Sequence, residues 1–270
     1  MKEVLFESKG ALPPQTDLRD YTIAAMTTTY PNTFALSPLP AVKNQGAVGS
    51  CVAHTASEIL EYFNQLETGK YTRLSTDFIY GMQGIEFNRL ESGMYLRDAC
   101  KIVNKYGDCK YSTINTNTEQ PKCTRALAEV LSDEIYDEAE NQRVLSYARC
   151  NTDDAIKHAL MNYGPVLGST KWHDKNHFEG KIVRFDKSSE GGYHAIMIYG
   201  WNKDGWLCQN SWGKNWQGDG RFVLPFGDVR EAWSFVDAEN DDVNKPKQNF
   251  IFDIFYKLIN AIINYLKGRE

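Results

Sequence analysis

VKNQGAVGSCVAHTASEILEYFNQLETG, residues 42–69, decides how the rest of the chain reads. Gly46 and Gly49 break regular structure ahead of Cys51. After the cysteine, Ala53, Ala56, Ile59, Leu60 and Phe63 recur at three- and four-residue steps. That period predicts an amphipathic helix that begins at about Cys51 and stops at Gly69. A thiol at a helix start faces free backbone N–H groups and the positive end of the helix dipole, which favour its thiolate. The glycines before it leave the side chain approachable.

Working outward, further helices are expected near 75–84, 93–106 and 124–141, the last carrying the acidic run DEIYDEAE. The character then changes. Residues 143–149, 181–185, 193–201 (YHAIMIYGW), 206–212 (WLCQNSW) and 220–226 (GRFVLPF) read as strands, with a turn at Lys203-Asp204-Gly205. Helices first and strands later indicate an α+β fold. The 270 residues suffice for a real core, and 42% hydrophobic with 24% charged residues is an ordinary globular composition. A net charge of -5 leaves no basic footprint for nucleic acid. A mean hydropathy of -0.50 excludes a polytopic membrane protein. The six cysteines make neither a disulfide scaffold nor a CxxC zinc pattern.

A nucleophilic thiol needs a base, and five histidines are available. His54 lies one turn along the helix from Cys51 and reads as packed or exposed. His158 falls in the helical stretch DDAIKHALMNYG and reads as a surface residue. His173 and His177 have a metal spacing but fall in an expected loop, so no metal is assigned. His194 differs: it opens an apolar strand after Gly191-Gly192-Tyr193, where packing gives no reason for a polar group. Asn210, sixteen residues on and across a hairpin, can hold one ring nitrogen and turn the other toward the thiol. Gln45, on the glycine loop, is placed to offer an amide N–H to a carbonyl oxygen that becomes negative.

VKNQGAVGSCVA, YHAIMIYGW and QNSWGKNWQGDGRF together resemble the nucleophile, histidine and asparagine motifs of the papain family of cysteine peptidases. Asp17-Leu18-Arg19 resembles the start of the mature enzymes, and ESGMYLRDAC the glycine stretch that holds substrate backbone. The resemblance covers residues 17 to about 237. It implies a two-domain fold, helical over about 20–140 and a β-barrel or sheet over about 141–237, with a cleft between. It implies Cys51 as nucleophile, His194 as acid/base, Asn210 as its orienter and Gln45 in the oxyanion hole. Gly93, Met94, Tyr95, Ser169 and Trp212 match substrate-binding positions, and Trp172 one that walls the far side of the cleft. A polypeptide substrate and no cofactor follow. Val48 replaces a cysteine, Val52 an aromatic residue and Ser92 one of two glycines, which suits bacterial or phage-borne relatives. A catalytically silent binding module and an acyl-transferring, transpeptidase-like relative are the alternatives.

The ends read separately. No apolar run of signal length opens the chain, so a cytoplasmic or membrane-peripheral location is expected. Residues 1–16, with Pro13 and Pro14, are expected as a surface arm or a short plug in the cleft. Residues 238–248 read as a polar linker. In 249–267, Asn249, Asp253, Lys257, Asn260, Asn264 and Lys267 fall at steps of 4, 4, 3, 4 and 3, a narrow polar stripe on an otherwise apolar helix. Membrane-surface or partner-helix association is the expectation there.

Overall fold

The computed structural model describes residues 9–24, 29–116 and 118–236. The expected linker and C-terminal helix, 238–267, lie outside the described residues, as do residues 1–8 of the arm. Elements are numbered in chain order. The helices are α1 Cys51–Thr68, α2 Thr76–Phe87, α3 Leu96–Lys105, α4 Lys122–Val130, α5 Asp133–Glu140 and α6 Asp153–Asn162. The strands are β1 Phe34–Ala35, β2 Ser146–Arg149, β3 Val166–His173, β4 Asn176–Glu179, β5 Ile182–Phe185, β6 Gly191–Asn202, β7 Gly205–Gln209, β8 Arg221–Leu224 and β9 Val229–Val236. No described helix is long and apolar enough to cross a membrane.

α1 begins at Cys51 and ends where Gly69 takes a left-handed conformation at φ 68°. Its burial differs from that of a surface amphipathic helix. Every residue from Cys51 to Asn64 is buried, Glu58 and Glu61 included. The helical half closes over it through Phe78, Ile79, Leu96 and Ile102, while Leu167, Ala195 and Met197 arrive from the sheet. The acidic segment expected as one helix over 124–141 is two, α4 and α5. Leu131 takes an extended ψ of 131° and Ser132 caps the second.

The sheet runs β2-β9-β3-β6-β7-β8-β5-β4, with β1 on β6. Its pairs are antiparallel except β5 with β8, which meet in parallel at Ile182 and Val223. It is therefore an open mixed sheet, and of the barrel-or-sheet alternatives the sheet is the one formed. A second apolar core covers it, built from Trp172, Trp201, Trp206, Trp216 and Phe222 with Ile156 and Leu160 of α6. His158 is buried with that helix, not on the surface as expected.

Beneath the loop that leads to Cys51 lies a buried polar cluster. Lys43 Nζ pairs with Glu61 Oε1 at 2.8 Å and donates to Ser57 Oγ at 2.7 Å. Ser57 Oγ donates to Asp108 Oδ2 at 2.8 Å, and the Lys43 backbone N–H donates to Glu58 Oε1 at 3.0 Å. Burial pushes the Glu58 carboxyl up to about 8, opposed by the Lys43 charge. A carboxyl raised on folding holds its proton more tightly folded than unfolded. Its stabilisation is whole below its ordinary value of 4.5 and is lost as pH rises through about 8. Glu58→Gln is expected to flatten the fall in urea midpoint between about pH 5 and pH 9. An equally steep fall in the variant would show that Glu58 is not its source.

Candidate active site

Cys51 stands at the first position of α1, pressed against the middle of β6. The Ala195 backbone N–H donates to its sulfur at 3.4 Å, and the N–H groups of Val52, Gly10 and Ala11 also reach it. His194 is the residue before Ala195. Its Nε2 lies 2.7 Å from Asn210 Oδ1, and its Nδ1 is buried with no hydrogen-bond partner. The Ser211 backbone N–H donates to the same Asn210 oxygen at 2.8 Å. That second donor identifies the atom as an acceptor, so Nε2 carries the imidazole proton and Nδ1 is the bare base. The hairpin between β6 and β7 makes the pairing, as the sixteen-residue separation anticipates.

Trp212 stacks on the imidazole, with centroids 4.5 Å apart and 25° between planes. Trp172 meets the same ring edge-on at 5.7 Å. Trp172 is fully buried beneath His194, packed on Trp212 at 4.8 Å. It shields the histidine from below.

Gln45 is fixed on both sides. Its backbone N–H donates to Ser211 O at 2.8 Å, its Oε1 accepts from Ser211 Oγ at 2.6 Å, and its Nε2 donates to Val48 O at 2.8 Å. Asn44 bridges to Trp212, and the Gly213 N–H donates to Lys43 O at 2.9 Å. The nucleophile loop and the asparagine loop are thus zipped together. Ser211 is the residue missed in sequence; its position inside Asn-Ser-Trp is the signal that could have found it.

The remaining expected site residues divide. Met94 is buried and offers its backbone to the cleft. Gly93 holds φ 96°, and its carbonyl accepts from Gln83 Nε2 at 2.9 Å. Ser169 on β3 sits opposite Ala195 with its hydroxyl buried and unpartnered. Tyr95 opens α3, and its ring lies under the Arg89 guanidinium at 4.7 Å. His54 is buried and bonded through Nδ1 to Ser50. His173 and His177, expected in a loop, lie instead on β3 and β4, and the described residues hold no metal-type cluster.

The cleft is occupied by the chain's own arm. Ala11 N–H donates to Tyr193 O at 3.2 Å, Leu12 N–H to Met94 O at 2.9 Å, and Met94 N–H to Gly10 O at 2.8 Å. Lys9 is ion-paired to Asp174. Beyond the cleft, Arg97 grips Asp17 at 2.8 Å and Asp20 at 2.5 Å, and Arg149 Nη1 donates to Gln15 O at 2.7 Å. Buried under this strap, the Cys51 thiol is pushed up to about 11 by loss of water, despite the N–H groups around it. Burial likewise drives His194 down to about 4, against the hydrogen bond it donates to Asn210. Both groups are neutral at physiological pH in this arrangement.

A model of the papain family cysteine proteases matches residues 33–230. The chain belongs to the papain family of cysteine proteases. An uncharacterised peptidase C1-like protein of Acanthamoeba polyphaga mimivirus is 25% identical, over 83% of this chain and 78% of that protein. Procathepsin L of Rattus norvegicus is 26% identical over 66% of this chain; the chain spans 54% of its length. Among solved structures, the cysteine protease xylellain of Xylella fastidiosa superposes with a TM-score of 0.74 at 22% identity, over 86% of this chain and 96% of its own. The papain-family fold is therefore common to both.

The seat of the arm depends on a glycine. A Cβ on Gly10 would stand 2.0 Å from the carbonyl oxygen of Gly49. Gly10→Ala is expected to lift the arm and raise the iodoacetamide alkylation rate of Cys51 by about tenfold or more, as burial is relieved. An unchanged rate would show that this contact does not hold the arm in place.

Proposed function

We propose that the chain is a cysteine endopeptidase acting through a Cys51–His194–Asn210 site and a thioester intermediate, held at rest by residues 9–12. The observation that carries this reading is the His194–Asn210 hydrogen bond at 2.7 Å, which leaves Nδ1 bare one residue before the Ala195 N–H that donates to the helix-start thiol. An Asn-oriented imidazole stacked under Trp212 has one chemical use next to a cysteine, which is to take its proton.

The arm fits a resting state because it presents no electrophile. Backbone N–H groups of Gly10 and Ala11 reach the sulfur, while the Gly10 carbonyl is committed to Met94. With the arm displaced, water enters, the cost of charge falls, and Nδ1 of His194 takes the Cys51 proton. The thiolate attacks a peptide carbonyl carbon and forms the C–S bond. Gln45 Nε2 and the Cys51 N–H hold the oxyanion. The C–N bond then breaks as His194 delivers its proton to the leaving nitrogen. Water, deprotonated by His194, hydrolyses the thioester. Met94 and Ser169 match the family's pocket positions, and a pocket they lined would be apolar with one hydroxyl, suited to an aliphatic or aromatic side chain.

The test compares the full chain with a variant lacking residues 2–12. Labelling of Cys51 by an epoxide-type cysteine peptidase inhibitor is expected to be slow in the full chain and to rise steadily with pH toward about 11. In the truncated variant it is expected to be fast and nearly flat between about pH 5 and pH 8, because the thiolate–imidazolium pair forms there. Peptide hydrolysis should follow the same order and be abolished by Cys51→Ala. Asn210→Ala should cost about a hundredfold in kcat. Absence of Cys51-dependent labelling and hydrolysis in both forms would defeat the reading.

A further inference from the structure

Asp174 follows β3 at the mouth of the cleft. It is about half exposed and is seated on Lys9 of the arm. Lys9 does not wave in solvent: its side chain is 21% exposed, and its stem lies along the bare face of Gly192. A Cβ on Gly192 would stand 3.3 Å from the Lys9 Cβ and 3.1 Å from its Cδ. Behind Asp174 opens a groove of about 410 Å³ lined by Lys175, Asn176, His177, Phe185 and Asp186. The Asp174 backbone N–H is fixed to Glu190 O at 2.8 Å. The bare face of Gly192, which takes the Lys9 stem, and the Asp174 carboxylate beyond it, on a backbone fixed to Glu190, together accept a long cationic side chain.

The chemistry says which residue of a substrate would meet it. His194 must deliver its proton to the leaving nitrogen, so the side of the cleft beyond His194 receives the residues that follow the scissile bond. Lys9 is on that side. It lies over Gly192, two residues before His194, and its charge disfavours protonation of the imidazole. Leu12, at the other end of the strap, lies against Gly93. The arm therefore runs from the leaving-group side to the acyl side, opposite to a chain being cleaved. Its backbone is not a substrate's backbone, but its lysine marks a place where a cation is held.

We infer that Asp174 is a specificity residue that selects polypeptides with Lys or Arg at the first or second position after the scissile bond, and that Lys9 occupies this subsite in the resting chain. The inference rests on the peptidase reading above. It goes beyond it by assigning a charge preference on the leaving-group side, where the pocket near Met94 and Ser169 sets none.

The test uses the full-length protein and internally quenched peptides that differ only at those two positions, with Lys, norleucine or Glu. The quantity read is the ratio of kcat/KM for the Lys peptide to that for its norleucine twin, which cancels any change in how readily the arm leaves. The ratio is expected to be about fivefold or more in favour of Lys at one of the two positions. It should fall to near one in Asp174→Asn, and Asp174→Lys should turn the preference toward Glu. A chain that fails to label at Cys51 counts against the peptidase reading itself. A chain that labels but shows no charge preference, that keeps it in Asp174→Asn, or that cleaves none of the peptides overturns the Asp174 subsite.

Discussion

The contact between the first turn of α1 and the centre of β6 is the constraint on which the rest of the site depends. It places the Cys51 sulfur 3.4 Å from the Ala195 N–H, one residue along the strand from His194. A strand residue's side chain points to the face opposite that of the next residue. Because Ala195 offers backbone where a larger packing group would hold the helix away, helix and strand approach closely. The helix start then supplies the Val52 N–H to the sulfur, without any side-chain cap, since Ser50 makes none.

Two supports keep that contact in register. The first is the zipper between residues 43–45 and 211–213, in which Ser211 serves both sides. Its N–H is on Asn210 Oδ1 and its hydroxyl on Gln45 Oε1. Gln45 and Asn210, the oxyanion donor and histidine orienter of the proposed mechanism, are therefore both set by Ser211. The second is the buried cluster of Lys43, Glu58, Glu61 and Asp108, which ties the loop to the flank of α1. Burying three carboxyls with one lysine is unfavourable unless protons and hydrogen bonds compensate. That explains why the Glu58 carboxyl retains its proton so far above its ordinary range. The arm adds a lid of backbone, pinned outside the cleft by Arg97 and Arg149.

Much of this was legible in the chain. Cys51 declared itself by a glycine loop meeting a helical period, His194 by being polar on an apolar strand, and Asn210 by lying across a hairpin. Each signal is local, which is why each survives in sequence. β3 was not legible. Its residues VLGSTKWH are buried on both faces and show no alternation, so nothing marks them as a strand. Glu58 and Glu61 looked like the polar face of a surface helix, because the elements that cover them come from elsewhere in the chain. Lys9 and Asp174 are 165 residues apart, and no spacing rule joins them. The break at Leu131 and Ser132 was hidden by good helix formers on either side. The arm's course through the cleft could be named as an option from its prolines, but its register against Met94 and Tyr193 is a tertiary fact.

In the proposed mechanism Cys51 and His194 are a nucleophilic pair kept dry and neutral by the chain's own backbone. The most direct measurement of that state is the titration of His194 by nitrogen NMR in the full-length protein, with His194→Gln identifying the signal. The account expects a neutral imidazole with its proton on Nε2 that does not charge until about pH 4. An imidazolium signal at pH 7 in the resting chain, or a proton on Nδ1 of the neutral ring, would contradict it.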